Sequence, residues 1–307
     1  KRQFIDWAQK GSATGYEIEY STNADFKDST VKKLTANKPD TLTISGLTAG
    51  NKYYVRVRSY TNVGENVYYG AWSDSKNITT AKYDITKSAI SGISTKTYTG
   101  KNITQSVKVK YNGKTLKSGT DYTVSYSNNK KVGTATVKIT GKGQYGGTVS
   151  KTFKINPAKQ KIQKLTAKSK AFFIDWAQKG SATGYDIQYS TSANMSGAAS
   201  KHLTANKPDN LTISGLTADK TYYVRVRSYT NVGSKTYYGP WSDIKSIKTA
   251  KYDITKASVS GISTKAYTGK AITQNITVKY NGTALKNGTD YTTSYSVSYT
   301  HLTPADD

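Results

Sequence analysis

Arginine and tryptophan recur together at two places in the sequence, where they could bind a ligand or stabilise a sheet. The two sets are Arg56, Arg58 and Trp72, and Arg225, Arg227 and Trp241. Both arginines of a set lie in the segment YYVRVRSY, whose alternation predicts a strand with the arginines on its outward face. There a guanidinium group can stack on the indole, a cation–π contact worth about 0.5–2 kcal/mol. The alternative is an aromatic platform for a sugar ring, to which Tyr69 and Tyr238 would contribute.

Lysine is concentrated in residues 82–157, which hold 14 Lys against two acids, whereas residues 1–81 carry 11 Lys and Arg against eight acids. In the segment VKVKY, Lys108 and Lys110 alternate with Val107 and Val109, so both lysines are predicted to point away from the core. The candidate polymer-binding residues that could extend this face are Lys108, Lys110, Lys114, Lys117, Lys138, Lys142, Lys151 and Lys154. The simpler alternative is a solvated surface that keeps strand edges from pairing.

The net charge of +26 predicts attraction to an anionic partner. Only five of the 45 basic residues are Arg, the residue best suited to bidentate reading of phosphates and bases. No motif for reading DNA or RNA is present. We therefore expect an anionic cell-wall polymer or polysaccharide as the partner rather than a specific nucleic acid.

Catalysis within the chain is not expected. The chain has no Cys and two His, and Lys33 stands at the position that matches His202 in the repeat described next. No group of His, Asp and Glu has the spacing of metal ligands, and no carboxylate pair recurs in an acid–base setting. We predict no catalytic residue, no cofactor and no metal, and no apolar run reaches the roughly 20 residues of a membrane span.

Internal repetition is the strongest signal in the sequence. Trp7 matches Trp176, and the same offset of 169 residues holds without insertion or deletion from Phe4 and Phe173 to Ser127 and Ser296. The unit contains short alternating segments and no run with helical period, and Asn112-Gly113 predicts a type I′ hairpin turn. The prediction is an all-β chain of tandem β-sandwich modules in a duplicated 169-residue unit.

The two halves of this unit resemble two known families. The segments FIDWAQ, GYEIEYS, ISGL and YYVRVRSY resemble fibronectin type III modules, and this resemblance implies core roles for Trp7, Trp176, Tyr53, Tyr222, Leu47 and Leu216. It also favours the stacking role for the Arg–Trp sets, because similar ladders occur in many such modules. The pattern from YTGKNITQSVKVKYNGKTLKSG to TVSKTFKI resembles immunoglobulin-like repeats of surface and secreted proteins of Gram-positive bacteria.

These resemblances predict four modules and a tail. We expect a fibronectin type III-like module without its first strand at residues 1–81, and an immunoglobulin-like module at 82–157. A second fibronectin type III-like module is expected at 158–250, followed by a truncated immunoglobulin-like module at 251–296. Residues 297–307 resemble a translated sequencing adapter and are expected to be a non-native tail.

The function that these features predict is structural and adhesive. The chain would be a non-catalytic extracellular array from a bacterial surface or secreted protein, acting as a spacer with weak adhesion to anionic polymers, within a longer parent chain. The alternative is a set of accessory carbohydrate-binding or linker modules attached to a secreted glycoside hydrolase or peptidase.

Overall fold

The computed structural model describes residues 1–9, 11–38, 40–178, 182–266 and 268–296, and the predicted non-native tail at 297–307 lies outside them. The described residues form β-strands with two short 3-10 helices, as the alternation of apolar residues predicts. By their contacts they divide into a unit of residues 1–156 and a second unit that begins at Pro157. Each unit contains two groups of strands, here called modules 1 and 2, and modules 3 and 4.

Module 1 is a sandwich of two antiparallel sheets. Its strands are β1 (Gln3–Asp6), β2 (Gly15–Ser21), β3 (Thr30–Leu34), β4 (Thr41–Ile44), β5 (Lys52–Val63), β6 (Asn66–Tyr69) and β7 (Lys76–Thr79). One sheet pairs β1 with β4, and the other has the order β3-β2-β5-β6, with β7 also paired to β5. Tyr16, Ile18 and Leu47 are buried between the sheets, and Trp7 is half-buried against them.

Module 2 has the same layered construction with shorter strands. Its elements are β8 (Tyr83–Asp84), a 3-10 helix (Ile85–Lys87), β9 (Ala89–Ser91), β10 (Lys96–Thr97), β11 (Lys108–Tyr111), β12 (Lys114–Thr115), β13 (Tyr122–Ser127), β14 (Gly133–Gly141), β15 (Tyr145–Gly146) and β16 (Thr148–Asn156). The two larger sheets have the orders β12-β11-β9 and β10-β16-β14-β13, β8 and β15 form a parallel pair, and Val109 shares one buried cluster with Val137 and Ile139. Asn112 and Gly113 have φ angles of 45° and 80°, so the predicted hairpin turn is confirmed.

Module 3 repeats module 1 and has one more strand. Its strands are β17 (Lys161–Lys168), β18 (Ala171–Ala177), β19 (Gly184–Ser190), β20 (Ala199–Leu203), β21 (Asn210–Ile213), β22 (Thr221–Val232), β23 (Lys235–Tyr238) and β24 (Lys245–Lys248). The additional strand, β17, pairs with β18 on the side opposite β21. Trp176 is fully buried in the core that these strands enclose.

Tyr53 and Tyr222, two of the predicted core residues, each bind the turn that precedes their own strand. Tyr53 and Tyr222 are 9% and 8% exposed, and Leu47 and Leu216 are each 7% exposed. The backbone N–H of Thr48 donates to the Tyr53 hydroxyl at 3.0 Å, and Thr217 N–H donates to Tyr222 at 3.1 Å. Each tyrosine therefore packs its ring in the core, and its hydroxyl accepts a hydrogen bond from a backbone N–H in the turn that precedes its strand.

Module 4 repeats the start of module 2. It consists of a 3-10 helix (Ile254–Lys256), β25 (Ser258–Ser260), β26 (Thr277–Tyr280) and β27 (Thr283–Ala284). Ile254 is 45% exposed, whereas its counterpart Ile85 is completely buried. In module 2 the strands β14 and β16 close the core, and the described residues of module 4 contain no counterpart of either strand.

Candidate functional surfaces

The outward arginines of module 1 are bound by two acids on the neighbouring strand. In the antiparallel register of β2 and β5, Glu19 lies opposite Arg56 and Glu17 lies opposite Arg58. Arg56 Nε donates to Glu19 Oε2 at 2.6 Å, and Arg58 Nη2 donates to Glu17 Oε2 at 2.7 Å. Both glutamates are only 8% exposed. A buried carboxylate needs such a partner, so these ion pairs fix the arginines on the sheet.

Trp72 completes this arrangement by stacking on both arginines. The guanidinium carbons of Arg56 and Arg58 lie 4.8 and 4.4 Å from the centroid of the Trp72 ring. Residues two apart on a strand are separated by roughly 6.6 Å, so a ring at these distances from both side chains lies between them. Phe26 stacks on Arg56 at 4.2 Å and Tyr69 stacks on Arg58 at 4.0 Å. The cations thus cover the indole that a sugar would need.

Module 3 repeats the same ladder with one change of charge. Trp241 lies 4.6 and 4.5 Å from Arg225 and Arg227, and Tyr238 lies 4.1 Å from Arg227. Arg227 donates to Asp186 Oδ2 at 2.9 Å. Arg225, however, donates to the amide oxygen of Gln188, with Nη2 at 2.6 Å. Each Trp therefore keeps its stacked arginines, although an uncharged amide replaces one of the carboxylates.

His202 also belongs to this ladder. Its Nδ1 lies 2.6 Å from Asp186 Oδ1, and its ring stacks on Tyr229 with centroids 4.7 Å apart. In module 1 the ammonium of Lys33 occupies the same place, 4.2 Å from the centroid of the Tyr60 ring. His202 therefore extends the stack as Lys33 does. His301 lies outside the described residues.

Glu17 and Glu19 belong to this site, although the sequence analysis did not predict them as site residues. The signal was the EIE segment on one strand facing the RVR segment on another. Burial of Glu19 by itself would raise its pKa. The hydrogen bonds from Ser29 and Arg56, together with the charges of Arg56 and Arg58, outweigh that effect and hold the pKa of Glu19 below its usual value.

The candidate lysines of module 2 lie on both sides of its sandwich. Lys108 and Lys110 flank the buried Val109 on β11 and point outward from the first sheet. Lys138 lies between buried neighbours on β14, and Lys154 flanks Phe153 on β16, so both point outward from the second sheet. Because the two sheets pack face to face, these pairs are on opposite surfaces. The expectation of one extended lysine face is therefore wrong.

The remaining candidate lysines surround these two surfaces. Lys114 is on β12 and Lys117 follows that strand, where its backbone N–H donates to Asp121 at 2.8 Å. Lys142 follows β14 and donates to the carbonyl of Gly119 at 2.8 Å. Lys151 lies opposite Val137 on the inner side of β16 but is exposed. All eight candidate lysines of module 2 are therefore exposed, but they do not form one surface.

The positive charge of module 2 is not neutralised within the module. Across residues 82–157, all of them described, no lysine forms an ion pair with another described residue. Both acids are used locally. Asp84 accepts from Thr86 N–H at 3.0 Å as the cap of the 3-10 helix, and Asp121 binds the Lys117 backbone. The hydrogen bonds from Thr86 keep the pKa of Asp84 below its usual value.

Two other kinds of site are absent from the part of the chain that the structure describes. Among the residues that the structure describes, no group of three or more His, Asp or Glu could hold a metal ion. In the same part of the chain, no helix is both long and apolar enough to cross a membrane.

The fold and these surfaces define a class of protein, an all-β chain of tandem β-sandwich modules. A sequence profile of the fibronectin type III domain matches residues 4–72 and 157–244, together more than half of the chain. The chain belongs to the fibronectin type III family.

Comparison with solved structures gives distant similarities. The crystal structure of chicken CNTN1 FN1-FN3 domains is 14% identical, covers 81% of this chain and 94% of its own, and has a TM-score of 0.28. A myokine structure, also 14% identical, covers 31% of this chain and 99% of its own, with a TM-score of 0.27. No curated protein matches the chain.

Proposed function

We propose that the chain is a non-catalytic extracellular array from a bacterial surface or secreted protein, in which module 2 adheres weakly to anionic cell-wall polymers or polysaccharide. The observation that carries this proposal is the set of lysines on both outer surfaces of module 2, none of them in an ion pair with a described residue. The strand arginines Arg56, Arg58, Arg225 and Arg227 are less available, because each is held by a side chain of the neighbouring strand and by a ring.

Lysines on two surfaces suit a flexible polymer better than a defined ligand. An ammonium group is a strongly hydrated point charge that attracts phosphate without fixing its orientation. A chain of phosphates such as teichoic acid could contact either surface, and each contact would be weak and screened by salt.

The other modules would serve as spacers. The nine-residue strands β14 and β16 are about 30 Å long at roughly 3.3 Å per residue, so each module adds reach between the ends of a parent chain.

Neutral-sugar binding beside an attached glycoside hydrolase or peptidase is the alternative. It is less well supported, because Arg56 and Arg58 cover the Trp72 ring and Arg225 and Arg227 cover the Trp241 ring. The exposed Tyr69 and Tyr238 alone would give a smaller platform.

The proposal is tested by retention of the protein on purified Gram-positive cell walls with and without their wall teichoic acid. We expect retention on the complete walls and release from the stripped walls. A variant with Lys108, Lys110, Lys138 and Lys154 changed to Gln should lose most of its retention. Equal retention on both wall preparations would contradict the proposal.

A further inference from the structure

Arg225 differs from the other three strand arginines in the charge of its hydrogen-bond partner. Arg56, Arg58 and Arg227 each donate to a carboxylate. Arg225 instead donates through Nε and Nη2 to Oε1 of Gln188, at 2.9 and 2.6 Å, and it forms no ion pair with any described residue. It is half-buried, so water screens its charge less than that of an exposed lysine. A half-buried cation without a counter-charge favours the binding of an anion.

The acid of the module 3 ladder, Asp186, does not supply that counter-charge. Its Oδ2 accepts from Arg227 Nε at 2.9 Å, and its Oδ1 lies 2.6 Å from Nδ1 of His202. Both oxygens of this acid are therefore already bound by other partners. The positive charge of Arg225 stays uncompensated within the ladder.

Module 1 carries its own anion at the matching position. There Glu19 accepts hydrogen bonds from Arg56 Nε at 2.6 Å and from Ser29 Oγ at 2.5 Å. Module 3 has Gln188 in place of this glutamate and Ala198 in place of this serine. It therefore lacks both the internal carboxylate and the hydroxyl group that binds it, while the arginine remains.

The hydrogen bonds to Gln188 leave one edge of the Arg225 guanidinium open. A guanidinium has five N–H groups, and Gln188 accepts from two of them, so three have no acceptor among the described residues. Two of these three, one on Nη1 and one on Nη2, are parallel and match two oxygens of a carboxylate or a phosphate. Trp241 lies 4.6 Å from the guanidinium carbon and holds the group in place, so binding an anion does not require further ordering of the side chain.

Two neighbouring side chains add donors on the same outward face. Gln188 directs its amide oxygen to Arg225, which leaves its Nε2 group as a donor without an acceptor among the described residues. Ser200 lies directly opposite Gln188 in the pairing of β19 and β20 and is exposed. Residues directly opposite each other on antiparallel strands point to the same face. Module 1 has Val31 at that position, opposite Glu19, and so presents an apolar side chain there.

We propose that module 3 binds an oxyanion, the carboxylate or phosphate group of an acidic ligand, on the outward face of β19, β20 and β22. The anion accepts hydrogen bonds from the open edge of Arg225, and Nε2 of Gln188 and Oγ of Ser200 are further donors to it. Module 1 does not have this site, because Glu19 already neutralises Arg56. This inference is independent of polymer binding by module 2, which rests on lysines.

The test follows the arginine Nε–H signals of the isotope-labelled full chain by NMR during titration with methyl phosphate and, separately, with acetate. The chain has only five Arg, so these signals are few and can be assigned by substitution. NaCl keeps the ionic strength constant, so general screening does not change during the titration. We expect a saturable shift of the Arg225 signal and none of the Arg56 signal. A response to methyl phosphate alone assigns the bound group as a phosphate, and a response to acetate alone assigns it as a carboxylate.

Matched variants exchange the deciding side chains between the two modules. Gln188→Glu places a carboxylate beside Arg225 and should weaken binding at least about tenfold, because it pairs with the guanidinium and repels the anion. The reciprocal variant, with Glu19→Gln and Val31→Ser, should give the matching arginine of module 1 a saturable shift. Absence of a saturable shift at Arg225 with both probes, an equal shift at Arg56 in the wild type, or unchanged binding by the Gln188→Glu variant would overturn the proposal.

Discussion

Arg56 and Glu19 form an ion pair on the outer face of module 1, with Nε and Oε2 2.6 Å apart. In module 3 the matching Arg225 donates to Gln188 Oε1, with Nε at 2.9 Å. Module 3 thus keeps the hydrogen bond of module 1 but has one negative charge fewer, because Gln188 stands in place of Glu19. Pairs of equivalent positions like this one allow matched comparisons within a single chain.

The first prediction concerns acid stability. The pKa of Glu19 lies below its ordinary value of about 4.5, so its ionised form stabilises the fold at pH values above the unfolded pKa. This contribution is lost as the pH falls through the lower, folded pKa. The variant Glu19→Gln should therefore lose less stability than the wild type on acidification. Urea unfolding from about pH 6 to about pH 3 measures this. If the free energy of unfolding depends on pH in the variant as it does in the wild type, this prediction is wrong.

The second prediction concerns the stacked tryptophan. Trp72→Ala removes a half-buried ring and its contacts with Arg56 and Arg58, so module 1 should lose about 2–4 kcal/mol of stability. Trp241→Ala should have a similar effect on module 3. Denaturant unfolding gives the stability, and glycan binding is measured in parallel. Loss of neutral-sugar binding without loss of stability would instead support the sugar platform.

The third prediction concerns the hydroxyl group of the core tyrosines. Tyr53→Phe leaves the Thr48 N–H without its acceptor and should cost about 1 kcal/mol, and Tyr222→Phe should cost about the same. Tyr68→Phe is the control, since Tyr68 is 59% exposed and should tolerate the change. If all three variants are as stable as the wild type, the hydrogen bond to the tyrosine hydroxyl makes no net contribution to the free energy of unfolding.

The fourth prediction compares Ile85 with Ile254. Ile85→Ala opens a cavity in a closed core and should destabilise module 2 by about 2–5 kcal/mol, whereas Ile254→Ala at a 45% exposed site should cost less than about 1 kcal/mol. In hydrogen exchange, the amides of Thr277–Tyr280 should exchange faster than those of Lys108–Tyr111. Equal protection of the two strands would mean that module 4 is as stable as module 2.

The sequence predicted the features that depend on local pattern. Alternation indicated β5 and β22, and the Asn112-Gly113 pair indicated its turn, because backbone preference and side-chain period act over a few residues. The Arg56–Glu19 ion pair could not be predicted from local pattern, because its residues are 37 positions apart and meet only through the register of two strands.

The distribution of the lysines could not be predicted for a similar reason. Alternation shows that Lys108 and Lys138 point away from the core, but not which sheet each strand joins. Once β11 and β14 pack face to face, two outward lysines lie on opposite surfaces. Likewise, the difference between Ile85 and Ile254 depends on strands far along the chain.

The most direct test of the central claim is the affinity of the chain for purified wall teichoic acid as a function of salt. We expect binding that weakens steeply between about 50 mM and about 200 mM NaCl and that is largely lost when Lys108, Lys110, Lys138 and Lys154 are changed to Gln. A control with Lys27→Gln and Lys76→Gln in module 1 should bind as the wild type does. Affinity that is independent of salt, or equal in the four-lysine variant and the wild type, would contradict adhesion through the lysines of module 2.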